Sequence, residues 1–159
     1  MAVDYIVASL PALSFDQPAP IGREKFAEIA GDFAVDGEPG FCAASLAAWR
    51  DLEAQLRNAV AEARGGEKYK RAAQGCSLYW KNKVLACFQE KDPFKRDEAL
   101  DRVWWEAAGE LTPPSAPLGA GALATYALRL KIALKRTAIS RDRGNAAFDR
   151  LTSSTKKEY

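Results

Sequence analysis

The balance between alanine and the β-branched residues decides most of what this chain can build. Alanine occurs 30 times in 159 residues, whereas Val, Ile and Thr together occur 16 times. Alanine gives up the least entropy on entering a helix, and strands are normally filled with branched side chains that fit an extended, pleated backbone. A sheet of any size therefore lacks its raw material. The expected fold class is all-α, a single compact domain of about five to six helices over residues 1–159. With 48% hydrophobic and 28% charged residues, the chain has the composition of one that buries a core.

The same composition removes whole classes of chemistry. There is no histidine, so Ser-His-Asp and Cys-His catalysis and histidine-bearing zinc sites are excluded. Cys42, Cys76 and Cys87 lack the paired spacing of a thiolate metal site or a disulfide framework, and are read as reduced core thiols. Gly119-Ala120-Gly121 lacks the third glycine and the Lys-Ser/Thr ending of a phosphate-binding loop. The acids Asp97, Glu98 and Asp101 share one expected helix and read as solvated surface charge. No catalytic residue, cofactor or metal site is expected, and the chain reads as non-enzymatic. Met1-Ala2-Val3-Asp4 has no basic start and Pro11 interrupts the apolar stretch that follows, unlike a secretory signal. No stretch nears the roughly 20 apolar residues of a membrane span. A cytoplasmic protein is expected.

Along the chain, Tyr5 to Leu13 reads as a short helix, closed by Pro18 and Pro20. Gly22 to Ala34 carries Phe26, Ile29, Ala30 and Phe33 at helical spacing, with Glu24 and Glu28 near its positive end. A loop is expected over Asp36 to Gly40. Cys42 to Arg64 repeats Leu46, Trp49, Leu52, Leu56 and Val60 three or four apart and stops at Gly65-Gly66. A further helix over Glu67 to Gln89 would align Tyr69, Ala73, Cys76, Trp80 and Cys87 on one stripe. The interleaved bases and aromatics of Lys68-Tyr69-Lys70-Arg71 and Tyr79-Trp80-Lys81-Asn82-Lys83 have the composition of a single-strand binder, but the stripe assigns Tyr69 and Trp80 to the core. Asp92-Pro93 opens a helix whose inner face is Leu100, Val103, Trp104, Ala107 and Leu111. Trp105 lies about 140° from Leu100, either covered by another element or offered to a partner.

Residues 110–122 form a Pro/Gly-rich stretch read as an internal linker. Beyond it, Leu123 to Ile139 is apolar on two sides, Tyr126, Ala127, Leu130 and Leu134 on one and Leu128, Ile132 and Ile139 on the other. Arg129 and Arg136 fill one flank, Lys131 and Lys135 the other. Such a helix is sandwiched between two layers, either both of this chain or one of a partner. Arg141-Asp142-Arg143-Gly144-Asn145 then leads to a short last helix with Phe148 and Leu151, and residues 152–159 are expected to fray. The overall charge of +2 hides a gradient. Residues 1–66 hold five cations against ten acids, residues 67–128 nine against eight, and residues 129–159 nine against three. The two ends therefore offer opposite signs to partners.

Two segments carry a family resemblance. Tyr5-Ile6-Val7-Ala8-Ser9-Leu10-Pro11-Ala12-Leu13, with Phe15-Asp16 and Pro18-Ala19-Pro20-Ile21, resembles the start of a family of short bacterial proteins encoded within operons for V/A-type rotary ATPases. Thr125-Tyr126-Ala127-Leu128-Arg129-Leu130-Lys131-Ile132, followed by Asp142-Arg143-Gly144-Asn145-Ala146-Ala147-Phe148, is similar to that family's C-terminal segment. Gly22 stands where the family usually has a hydroxyl residue able to cap a helix. The resemblance implies an all-helical, reduced counterpart of the central-stalk socket, the part of the ATPase that joins the membrane rotor ring to the central axle. It would lie peripherally at the inner membrane and bind the axle and the rotor ring. On this reading Arg129, Lys131, Lys135, Arg136, Arg141 and Arg143 are expected as charge contacts, with Trp105, Leu128 and Ile132 as apolar contacts. The alternative is a helical nucleic-acid-binding module using the basic C-terminal third.

Overall fold

The computed structural model describes the backbone of residues 2–155 and, within it, all side chains except those of residues 140–145, 147, 154 and 155. The described residues form six α-helices: α1 (Val3–Ser9), α2 (Arg23–Ala30), α3 (Ala43–Ala63), α4 (Leu78–Cys87), α5 (Pro93–Ala108) and α6 (Ala120–Thr155). Their only strands are β1 (Ala34–Val35) and β2 (Glu38–Pro39), an antiparallel pair with Val35 opposite Glu38. The all-α expectation holds. The loop expected over Asp36 to Gly40 is instead a hairpin, because Asp36 and Gly37 adopt φ of 52° and 76°, the left-handed pair that a two-residue turn needs and that Asp-Gly supplies.

Helix α3 packs on α4, α4 on α5 and α5 on α6, while α1 and α2 come back from the other end of the chain to close over α6. The buried half of α6 is the centre of the molecule. Leu123 and Ala124 are wholly buried, and Ala127, Leu128, Leu130 and Ala133 nearly so. They join Phe26, Phe41, Leu56, Trp49, Trp80 and Val84 in one core. Tyr126 stacks on Phe26 with centroids 5.6 Å apart, and its hydroxyl donates to the Pro11 carbonyl at 2.7 Å. One apolar side of this helix is thus answered within the chain by Tyr126, Ala127, Leu130 and Leu134, and of the other side Leu128 joins the core.

Two glycines set the close approaches. Gly40 has φ of +91°, and a Cβ there would lie 2.7 Å from the Phe26 ring and 2.9 Å from the Ala127 methyl. Gly121 lets the first turn of α6 lie against the Leu111 backbone, where a Cβ would overlap the carbonyl oxygen. Only glycine leaves both contacts intact.

Several sequence expectations are corrected. The helix over Glu67 to Gln89 does not form as a unit: a 3-10 turn at Glu67–Tyr69 is followed by an irregular strap over residues 70–77, and helix resumes at Leu78. The reason is a ladder of side chains on α3 that captures the strap's backbone. Gln74 N donates to Asp51 at 2.6 Å, Ser77 N to Gln55 at 2.9 Å, and the Asn58 amide both donates to the Arg71 carbonyl and accepts from its N–H. Backbone groups satisfied in this way have no need of a helical ladder. Of the expected stripe only Trp80 and Cys87 are buried, while Tyr69 is 70% exposed. At the other end, α6 starts at Ala120 rather than Leu123. It continues without a break through Gly144 to Thr155, in place of a separate short helix and fraying from residue 152. Residues 156–159 of that tail lie outside the described residues. The stretch 110–119 is tied to the body through Thr112, whose hydroxyl lies 2.7 Å from that of Thr125. Helix α2 begins after Gly22 with no side-chain cap.

The thiols also divide. Only Cys87 is buried; Cys76 is exposed, and Cys42 is half-buried as the N-cap of α3. Hydrogen bonds from the Ser45 hydroxyl and amide hold the Cys42 thiol below the usual thiol range, whereas burial pushes Cys87 up. Alkylation of the native protein, followed by mass spectrometry, should therefore label Cys42 and Cys76 and spare Cys87 until unfolding. Cys42 should react at a lower pH than an ordinary thiol requires.

Candidate interaction surface

Of the cations expected to meet a partner, Arg129, Lys135 and Arg136 lie along the seam between α5 and α6, and the groups they meet there belong to this chain. Lys135 Nζ lies 2.8 Å from Asp101 and 3.7 Å from Asp97. Arg136 reaches Glu98 at 3.7 Å and Asp101 at 3.6 Å. Lys131 pairs with Glu38 on the hairpin. Asp101, read from the sequence as a solvated acid, is buried. Two cations neutralise it, which is the condition under which a carboxylate tolerates burial.

Arg129 is engaged differently. Its Nε donates to the Trp105 carbonyl at 3.0 Å, and its guanidinium lies 5.4 Å from the centre of the Trp105 ring. It thereby closes the carbonyl end of α5, where the helix dipole favours a cation. Burial pushes its pKa down from the usual arginine value. Trp105 is covered by Arg129 on one side and by Phe15 in an edge contact at 5.6 Å. Phe15 in turn sits between two guanidiniums, Arg102 at 4.2 Å and Arg136 at 4.3 Å. Leu128 is 6% exposed and Ile132 half-buried. The structure therefore brings Trp105, Arg129, Lys135 and Arg136 together as an internal seam, and Leu128 is a core residue rather than a partner contact. The side chains of Arg141 and Arg143 lie outside the described residues.

Among the described residues large apolar side chains are exposed elsewhere, two such places being the far half of α6 and the outer side of α4. The far half of α6 exposes Phe148 and Leu151 at 66% and 69%. Ala146, Asp149, Arg150 and Ser153 are exposed as well, with Thr152 half-buried. The second place is the outer side of α4, where Leu78 and Tyr79 stand 66% and 59% exposed. The sequence carries a signal for this second surface in the unbroken apolar pairs Leu78-Tyr79 and Leu85-Ala86. The false stripe that runs the helix back to Glu67 hides it.

Among the described residues no group of acids and cysteines has the arrangement of a metal site, and no helix is long and apolar enough to cross a membrane. Comparison with known protein families, with curated proteins and with solved structures finds no match to this chain.

Proposed function

We propose that the protein is a non-enzymatic adaptor of a V/A-type rotary ATPase, a central-stalk socket between the membrane rotor ring and the axle, which presents the far half of α6 to its partner. The reading rests on the resemblance of the two terminal segments, and one observation carries it into three dimensions. Helix α6 is a single rod of 36 residues, about 54 Å long, with its first half rooted in the core and its second half exposing the side chains just described. A helix in water is marginal without an apolar face covered by something else, and Phe148, 66% exposed, stands on this segment. The resembling segments also meet each other, since the Tyr126 hydroxyl donates to the Pro11 carbonyl. The nucleic-acid alternative draws on the basic C-terminal third, where Lys131, Lys135 and Arg136 are already committed to carboxylates.

Purification of the tagged full chain from its host's membranes should retain axle and rotor-ring proteins in stoichiometric amounts. A chain ending at residue 139 keeps the core and should lose them, with its melting transition within a few degrees of the full chain. Retention of the stalk proteins by the shortened chain would remove the far half of α6 from the interface. Recovery of nucleic acid alone would end the adaptor reading.

A further inference from the structure

The strap over residues 70–77 is held to the molecule without entering its core. Residues 70–74 and 76 are exposed, Gly75 and Ser77 are half-buried, and none of the eight contributes a side chain to the apolar cluster. Its backbone is gripped by the ladder on α3: the Arg71, Gln74 and Ser77 amides donate to Asn58, Asp51 and Gln55, and the Asn58 amide group returns a bond to the Arg71 carbonyl. The ladder is itself joined, because the Gln55 amide donates to the other carboxylate oxygen of Asp51 at 2.9 Å. Glu62 completes it, meeting Lys70 at the entry to the strap at 3.4 Å and Lys81 of α4 at 3.2 Å. Side chains bonded to one another as well as to a common segment let go together rather than one at a time.

The strap also divides a surface. Toward the end of α3 it bounds a cleft of about 270 Å³ with Asn58, Ala59 and Glu62 among its lining residues, and toward the start of α3 one of about 790 Å³ with Ala47, Ala48 and Leu52. Gln55 of α3 and Ala73 of the strap line both. We propose that residues 70–77 are a gate: the strap lifts as one unit while the helices stay folded, and its lifting joins the two clefts into a single trough along α3. From Ala47 to Glu62 that trough is about 22 Å long. Lifting removes no apolar side chain from the core, so it breaks only polar contacts whose groups water can satisfy. Helix α4, by contrast, is rooted through Trp80, Val84 and Cys87 and stays behind. The closed position is set at Gly75, which lets the strap lie against Gln55, where a Cβ would stand 2.6 Å from the side-chain nitrogen.

Amide hydrogen exchange of the full chain, read residue by residue by NMR, tests the gate. Corrected for their intrinsic rates, the Arg71, Gln74 and Ser77 amides should exchange at one common rate, about a hundredfold faster than the wholly buried Leu56 of α3 and Val84 of α4. Asn58→Ala should raise exchange about tenfold at all three positions, including Gln74 and Ser77, which it does not touch. Gly75→Ala should do the same from within the strap by displacing the Gln55 amide. Neither change alters the core, so exchange at Leu56 and Val84 should be unchanged in both variants. Strap amides as slow as Val84 would overturn the inference, since the strap would then open only with the whole fold. An Asn58→Ala chain that speeds Arg71 alone would overturn opening as a unit. The stalk adaptor proposal is independent of all these outcomes.

Discussion

Replacing Gly40 with alanine should destabilise the protein by about 2 to 5 kcal/mol, the sum of two separate costs. An alanine held at φ of +91° pays about 1 to 2 kcal/mol of backbone strain. Its methyl would then stand 2.7 Å from the Phe26 ring and 2.9 Å from Ala127. Phe26 is 2% exposed and Ala127 3%, and the ring is pinned by its stack on Tyr126, so neither yields cheaply. Overpacking of this kind adds about 1 to 3 kcal/mol. Gly37 separates the two costs, since it shares a positive φ of +76° but has nothing within 4 Å of its added Cβ. Gly37→Ala should therefore cost only the strain, about 1 kcal/mol. Denaturant midpoints of the two variants test the argument, and equal shifts would mean that no clash exists at Gly40.

Asp101→Ala should be the most damaging substitution of a charged residue, at about 2 to 3 kcal/mol. Removing one member of a buried ion cluster leaves the others desolvated and uncompensated, a loss of about 3 to 5 kcal/mol in a fully buried case. The lower figure applies because the Lys135 side chain is 47% exposed and recovers solvent, while the Asp101 side chain is only 11% exposed. Asp97 faces the same lysine from 3.7 Å with a side chain 53% exposed. Its replacement by alanine should change stability by no more than about 0.5 kcal/mol. A double-mutant cycle with Lys135→Met isolates the coupling. A cycle in which Asp101 and Asp97 couple to Lys135 equally would show that burial contributes nothing.

Helices α3 and α5 are legible in the sequence because each satisfies its own ends. Leu46, Trp49 and Leu56 form one stripe, Gly65-Gly66 stops it, and Asp92-Pro93 starts α5, each signal lying within the element it governs or directly beside it. The strap over residues 70–77 is not legible, because its conformation is set by Asp51, Gln55 and Asn58, which are nearby in space but one or two dozen residues earlier. The seam is legible in composition and misleading in role. Arg129, Lys131, Lys135 and Arg136 do form two flanks of one helix. Periodicity along α6, however, says nothing of the acids on α5 and the hairpin that meet them. Continuity of α6 through Gly144 escapes a sequence reading for a related reason, since a single glycine costs a helix only about 1 kcal/mol and local signals overstate it.

The way α1 and α2 close over α6 bears on how the chain is made. Phe15 has as its partners Trp105, Arg102 and Arg136, Phe26 stacks on Tyr126, and the Pro11 carbonyl waits for the Tyr126 hydroxyl across 115 positions of sequence. During synthesis the first two helices leave the ribosome with their apolar sides unanswered, while α3, α4 and α5 can already pack on one another. Only when residues 120–137 have emerged is there a surface on which the beginning of the protein can settle. Helices α1 and α2 thus find their place only after the helix they pack on has been made.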